Sequence, residues 1–291
     1  MPGVPNTAEY RRGRVTVAPE PSATTAAART LGTWLRTLRT ATPADPAGAA
    51  AVPGRRRRLT QVEVARAAEV TPRAYQAVEQ GHRLPGPRLI AGIAHALDMT
   101  AVQREYLRRL ASPAPPTPAS APAPYIHHDT IRTLVAQFAC PAFAYDRLWQ
   151  VIATNDPMTR LVADLAAPDA PNLLLWFFTS PTARQIVVDW PGAATDLMGQ
   201  FRHLYALHPQ DPALADILTH LVAVSTEASA LWDCGVVAGE PAPRLCRMRI
   251  DGHIVEIITV YLRSGGPQGP IRVACFLPPA DAGAAWTTHL G

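Results

Sequence analysis

Four consecutive arginines, Arg55, Arg56, Arg57 and Arg58, are the densest concentration of functional groups in this sequence. Each guanidinium offers five donors in a planar fork that matches phosphate oxygens, and it keeps its charge at any physiological pH. Such a run is either a solvated loop or a strip of contacts to a polyanion, and residue type alone leaves both open. Groups for catalysis are sparse by comparison. No Gly-x-Ser-x-Gly elbow, Walker loop, His-Glu-x-x-His or Gly-x-Gly-x-x-Gly occurs, so the chain reads as a binding protein with no enzymatic activity and no cofactor. His127-His128-Asp129 has metal-ligating types without a helical His partner, and it reads as a solvated segment with no metal. Among Cys140, Cys234, Cys246 and Cys275 no pair is two or three residues apart, which argues against a zinc knuckle or a redox dithiol and leaves buried free thiols.

Charge is distributed unevenly along the chain. Residues 1–111 hold seventeen Arg against eight acids, a balance of +9, and the remainder is at −5, giving the net +4. A basic first third followed by an acidic remainder suits a module for nucleic acid joined to a module with another task. The 291 residues suffice for two domains, and no uninterrupted apolar stretch is long enough for a membrane span. Met1 to Arg29 has no apolar signal core, so a cytoplasmic protein is expected, with no membrane partner.

Periodicity divides the chain into four parts. Residues 1–28 show no pattern and read as a disordered tail. Residues 29–111 read as a helical DNA-binding domain. It opens with a helix over Leu31 to Arg39, with Leu31, Trp34, Leu35 and Leu38 on one side, and four more helices follow Arg58. Residues 112–124, rich in Pro and Ala, are a linker. Residues 125–291 mix helices with Val/Ile-rich strands over Arg244 to Ile250, Ile254 to Leu262 and Ile271 to Leu277, with Gly265-Gly266-Pro267 turning the chain between the last two. A further strand is expected over Phe143 to Ala153, and helices over Thr130 to Phe138, Pro157 to Leu165, Pro181 to Tyr205 and Pro212 to Trp232.

Gln61 to Gly81 is the most specific segment. Thr60 can cap one helix whose Val62, Ala65 and Ala68 share a face. Thr71 caps a second, with Pro72 at its first position and Tyr75 and Val78 returning to the core. A few residues separate the two, and Ala65 is small enough to let them cross closely, which is the helix-turn-helix pattern.

With Gln61, Ala65, Val70, Thr71, Tyr75 and Glu79-Gln80-Gly81 at these offsets, the segment resembles the Xre-type, lambda-repressor-like family. The resemblance implies a five-helix domain, completed by Pro87 to Leu97 and Thr100 to Leu110, and double-stranded DNA as partner. It also implies base-edge contacts from Gln61, Thr71, Pro72, Arg73, Gln76 and Ala77. Of these, Arg73 suits guanine and Gln76 suits adenine. Arg55 to Arg58, His82 and Arg83 are then candidates for phosphate contacts. Where the family has a turn glycine this chain has Glu69, at a cost of roughly 1–2 kcal/mol if the backbone is left-handed there.

The resemblance continues past the linker. Trp149 to Asn155 (WQVIATN), Pro171 to Pro181 (PNLLLWFFTSP), Asp189-Trp190, His208 to Pro212 and Ser229 to Trp232 occur in the order of the MmyB-like regulators. That family implies an α+β chain of two domains, the DNA reader followed by a PAS-like α/β sensor with a small hydrophobic, fatty-acid-like ligand, and a homodimer follows from the small DNA surface that one reader covers. Trp149, Trp176, Phe177, Trp190, Trp232 and Tyr261 are candidate apolar ligand contacts, with Asn155, Asn172, Arg202 and His253 as polar anchors. Two alternatives stay open for residues 125–291: a protein-interaction or dimerisation module without ligand, and an enzyme fused to a DNA reader.

Overall fold

The computed structural model describes residues 23–42, 58–112, 128–167, 171–263 and 271–279. The linker after Ser112, the 265–267 turn and Arg55 to Arg57 lie outside these residues. The N-terminal region is all helical: α1 (Ala23–Ala41), α2 (Gln61–Ala67), α3 (Pro72–Glu79), α4 (Pro87–Ala96) and α5 (Ala101–Ala111). Helix α1 begins at Ala23, so residues 23–28 belong to a helix and not to a tail. Their alanines carry no amphipathic signature, yet Ala27 and Ala28 are buried against the rest of the bundle.

Caps set the helix boundaries. Thr60 accepts from the Glu63 amide while Glu63 reaches back to the Thr60 amide, a reciprocal box that is repeated by Thr100 and Gln103 at α5. Thr71 accepts from the Ala74 amide, and Pro72 occupies the first turn of α3, where its missing N–H is not needed. The buried face of α2 is Val64, Ala65 and Ala68. Val62, expected beside Ala65, is instead 59% exposed, because the helix turns it away from α3. Between α2 and α3, Glu69 has φ of 54°, the left-handed conformation that the turn demands and that a side chain resists.

Helix α1 lies against the end of α3. A Cβ on Gly32 would stand 2.5 Å from the Glu79 carbonyl, so only glycine admits this approach. The approach brings Arg39 onto the buried Glu79 carboxylate through two bonds, Nε to Oε2 at 2.8 Å and Nη2 to Oε1 at 2.7 Å. Gln61 donates to the same Oε1 at 2.9 Å. Burial alone would raise the Glu79 pKa. The Arg39 and Gln61 hydrogen bonds and the Arg39 charge outweigh burial and hold the carboxyl below its usual range.

The second region is mixed α/β. Strands β1 (Ala142–Asp146), β2 (Val151–Thr154), β3 (Arg244–Ile250), β4 (His253–Arg263) and β5 (Ile271–Leu277) form one antiparallel sheet in the order β2-β1-β5-β4-β3. The segment expected as one strand over Phe143 to Ala153 is thus a hairpin. Asp146 Oδ1 accepts the amides of Leu148 and Gln150 and turns the chain there. Helix α6 (His128–Ala136) covers part of the outer face. Helices α7 (Asp156–Leu161), α8 (Leu173–Thr179), α9 (Pro181–Ile186), α10 (Trp190–Leu207), α11 (Pro212–Val224) and α12 (Thr226–Asp233) build the other side. The long helical segments expected from Pro181 and Pro212 each break in two, at 187–189 and at Ser225. Among the described residues no single helix is long and apolar enough to cross a membrane, and α11 and α12 meet at 119°. The four cysteines are unpaired, and Cys234 is exposed rather than buried.

The two regions touch directly. Trp34 Nε1 donates to the Gly235 carbonyl at 3.0 Å across a buried contact, and Gly235 accepts this position with φ of 69°. Tyr106 on α5 packs at 4.7 Å on Trp34 and at 6.2 Å on His203 of α10. Ala206 and Val237 complete the apolar surface around the helical core.

Replacing Glu69 by glycine removes the left-handed strain and stabilises the helical region by about 1 kcal/mol, net of glycine's greater chain entropy, as urea unfolding of the two proteins reads out. Glu79→Gln costs about 3 kcal/mol near pH 7, because it leaves a largely buried guanidinium without its anion. The pH dependence has a fixed sign. Because the folded Glu79 pKa is depressed, its stabilisation is complete above the unfolded value near 4.5 and is lost as pH falls through the folded value. Melting curves of wild type and Glu79→Gln therefore converge on acidification below pH ~4.5, and a constant gap between them down to pH 3 contradicts this account.

Candidate DNA-reading surface and ligand cavity

Helix α3 presents Arg73 and Gln76 to solvent, one helical turn apart, with Thr71 and Pro72 exposed at its start and Ala77 half-buried beside them. Neither the Arg73 nor the Gln76 side chain hydrogen-bonds to another described residue, which leaves both available to an external partner. Arg83 and His82 are exposed just beyond α3, and Arg58 is exposed ahead of α2. Gln61 differs from these. It is half-buried, and its amide nitrogen is committed to Glu79. The docking of the two regions uses α1 and α5, so it leaves the outer face of α3 uncovered.

In the mixed region an apolar cavity of about 120 Å³ separates the inner sheet face from α7, α8, α9 and α10. Phe143, Tyr145, Ile257, Tyr261 and Phe276 form its floor, and Met158, Trp176, Phe177, Ala193 and Leu197 form its roof. The floor follows from strand alternation. Cys246 and Met248 on β3, and Ile257, Thr259 and Tyr261 on β4, point inward while their neighbours point outward. Polar groups are few. Thr259 Oγ1 lies 3.6 Å from Cys246 Sγ, and Arg244 pairs with Asp196. Burial pushes the Tyr261 hydroxyl up to about 12, so it stays a neutral donor.

Of the ten candidate ligand contacts, Trp176, Phe177 and Tyr261 come together at this cavity. The other seven are placed elsewhere, each for a definable reason. Asn155 is buried and wholly used. Its Oδ1 accepts the amides of Ala142 and Met158, and its Nδ2 donates to the carbonyls of Phe138 and Cys140. Asn172 caps α8 and donates to the Leu148 carbonyl at 2.7 Å. Trp190 stacks on Phe177 at 5.5 Å beneath the Arg184 guanidinium and donates to the Phe177 carbonyl. Arg202 lies 3.9 Å over the Trp232 ring and donates to the Trp232 carbonyl, and Trp232 packs with Phe201 and Tyr205 against the core of the mixed region. His253 is exposed beside the β3–β4 turn.

Trp149 lines a second, much smaller hollow of about 30 Å³ with His203, Glu240 and Arg272, a space for one water molecule. It is held there in a left-handed backbone at φ 65°, with its amide bonded to the Asp146 carbonyl and its own carbonyl accepting from Leu173. Arg244, Cys246 and Thr259 were not singled out from the sequence, although the alternation that places β3 and β4 already fixes which of their residues face inward. Among the described residues no group of three or more His, Cys, Asp or Glu could hold a metal ion.

Residues 55–103 match the family model described as helix-turn-helix, and residues 128–290 match the model described as the MmyB-like transcription regulator ligand binding domain. No curated protein matches the chain. These are families of transcription regulators, not enzymes. An exposed reading helix on a capped helix-turn-helix and an apolar cavity under a five-stranded antiparallel sheet are the two parts such a regulator requires. With more than half of its length matched by the ligand-binding model, the chain belongs to the MmyB-like transcription regulators.

Proposed function

We propose that this cytoplasmic regulator binds a two-fold DNA site as a homodimer and changes its DNA affinity when a small hydrophobic, fatty-acid-like effector enters the cavity. One observation carries the reading: α10 lines the cavity with Ala193 and Leu197, and the same helix meets the DNA-binding region through His203 and Ala206. Arg73 and Gln76 are the base-reading residues, because they are the exposed hydrogen-bonding side chains of α3, and Thr71, Pro72 and Ala77 lie against the groove wall. Gln61 reaches DNA only with the part of its amide that Glu79 does not use. Arg55 to Arg58 and Arg83 contact phosphates, which fix register without reading sequence. Two copies place their α3 helices one DNA turn apart, about 34 Å.

The size of the cavity supports the coupling. Ligand pockets usually span ~300–1,000 Å³, well above the space found here. An acyl chain of more than a few carbons therefore widens the layer between the sheet and α10. A ligand shifts an equilibrium only by its differential affinity for two states, and this widening supplies the difference. Trp176, Phe177 and Tyr261 are the contacts assigned from the sequence that would meet the chain. The Tyr261 hydroxyl and the Arg244 guanidinium are the polar groups within reach of a carboxylate end.

Arg73→Ala loses ~1–3 kcal/mol on the operator and relaxes one base preference, while binding to random DNA changes little. Titrations of both DNAs at matched salt measure this, and equal losses on the two would remove Arg73 from the reading role. Leu197→Trp fills the cavity from α10. With decanoate as probe, wild-type operator affinity changes about 5–150-fold, and the variant does not respond. If decanoate binds the wild type, seen by tryptophan fluorescence, yet operator affinity stays constant through saturation, the effector reading fails.

A further inference from the structure

We propose that the uncovered half of the sheet's outer face is where a second copy of this chain docks, an assignment that rests on the homodimer reading above. Side-chain alternation sends even-numbered residues of β4 outward and odd-numbered ones toward the cavity. Helix α6 covers the outer face only over β1, β2 and β5, where Ile131 and Val135 bury Ile271, Val273 and Cys275. Over β3, β4 and the end of β5 no described element covers it. Leu245, Ile258 and Leu277 are directly paired across the three strands and form an apolar row. Val260 and Leu262 extend it along β4, and Ile254 lies at the other end. Four of the seven large apolar side chains exposed among the described residues fall on this one face: Leu245 (58%), Ile254 (53%), Leu262 (45%) and Leu277 (37%). Single exposed apolar residues are ordinary; a contiguous set crossing three strands marks an interaction surface.

The charges identify the occupant. Arg247 and Glu256 are cross-strand partners on the same face, and Arg249 stands two residues further along β3. All three are exposed. Arg247 and Glu256 do not pair with each other, although their register would allow it. A surface carrying a cation and an anion that are unpaired among the described residues, beside an apolar row, complements itself under a two-fold axis, where Arg247 of each copy meets Glu256 of the other. The free edge of β3 is already used, since the Val188 amide donates to the Arg247 carbonyl and Val187 bridges Met248. The partner therefore meets the face of the sheet and does not extend it edge to edge. The DNA-binding region attaches to α10 and the 235–239 segment, on the helical side of the sheet, so a copy seated on the outer face leaves both reading helices unobstructed.

Sedimentation equilibrium of the full chain, with and without operator DNA, tests the assignment. The wild type is expected as a dimer, and Leu245→Glu weakens it about 100-fold or more by placing a carboxylate in the apolar row. Arg247→Glu and Glu256→Arg each weaken it about 10-fold, and the double exchange restores it to within about threefold. A merely structural role would lower the melting temperature of the monomer and would not be rescued in the dissociation constant. A wild-type dimer that is unchanged by Leu245→Glu and Arg247→Glu overturns this surface while leaving the homodimer intact. A wild type that stays monomeric and binds the operator one to one overturns both. Dimerisation that appears only when residues 280–291 are deleted assigns the face to that segment and also overturns the proposal.

Discussion

The DNA-reading half of the molecule depends on one buried carboxylate. Glu79 closes α3, and its two oxygens are held by Arg39 from α1 and Gln61 from the first turn of α2. Three helices, α1, α2 and α3, are thus joined at one point. A buried ion is costly unless its lone pairs are filled, so the arrangement is stable only when all three helices are in place. That requirement fixes the angle at which α3 presents Arg73 and Gln76. Gly32 belongs to the same constraint, because any Cβ there would push α1 off the Glu79 carbonyl and open the ion pair.

The same α1 that carries Arg39 carries Trp34, and this joins the reading unit to the rest of the molecule. Trp34 uses its ring against Tyr106 and its N–H on Gly235, so one side chain spans the helical core and the mixed region. Tyr106 in turn meets His203, and burial pushes its hydroxyl up to about 12, so it takes part only as a neutral group. A proline-rich linker on its own suggests two bodies that move independently. The packed contact shows that the covalent link is not the mechanical one.

Much of the fold was legible because it rests on local rules. The caps at Thr60, Thr71 and Thr100, the proline at the start of α3, and the alternation of β3 each express a backbone requirement that a few residues satisfy. The strained turn at Glu69 was legible for the same reason. Less visible was whatever depended on distant partners. The start of α1 is built of alanines, whose burial follows from close packing and leaves no periodic trace. Asn155 and Asn172 have the polarity of ligand anchors, yet their side chains are spent on main-chain groups. Only the coordinates distinguish a satisfied asparagine from an available one. Trp232 and Arg202 have the chemistry of ligand contacts, and the structure pairs them with each other, because a cation over an aromatic ring serves packing as well as recognition.

The cavity and the junction share α10 as a common wall, and this limits how the molecule can respond. Close-packed cores do not deform continuously, since displacing a helix by a fraction of an ångström sacrifices dispersion contacts along its whole length. A helix pressed between an apolar cavity and an interdomain contact therefore has few ways to move. Its first half lines the cavity with Ala193 and Leu197 and carries Trp190 stacked on Phe177, whereas its second half is held by Phe201 in the core and by Arg202 on Trp232. Cavity and interdomain contact therefore bear on one helix, and α1, which meets that contact through Trp34, also holds Glu79 at the end of α3.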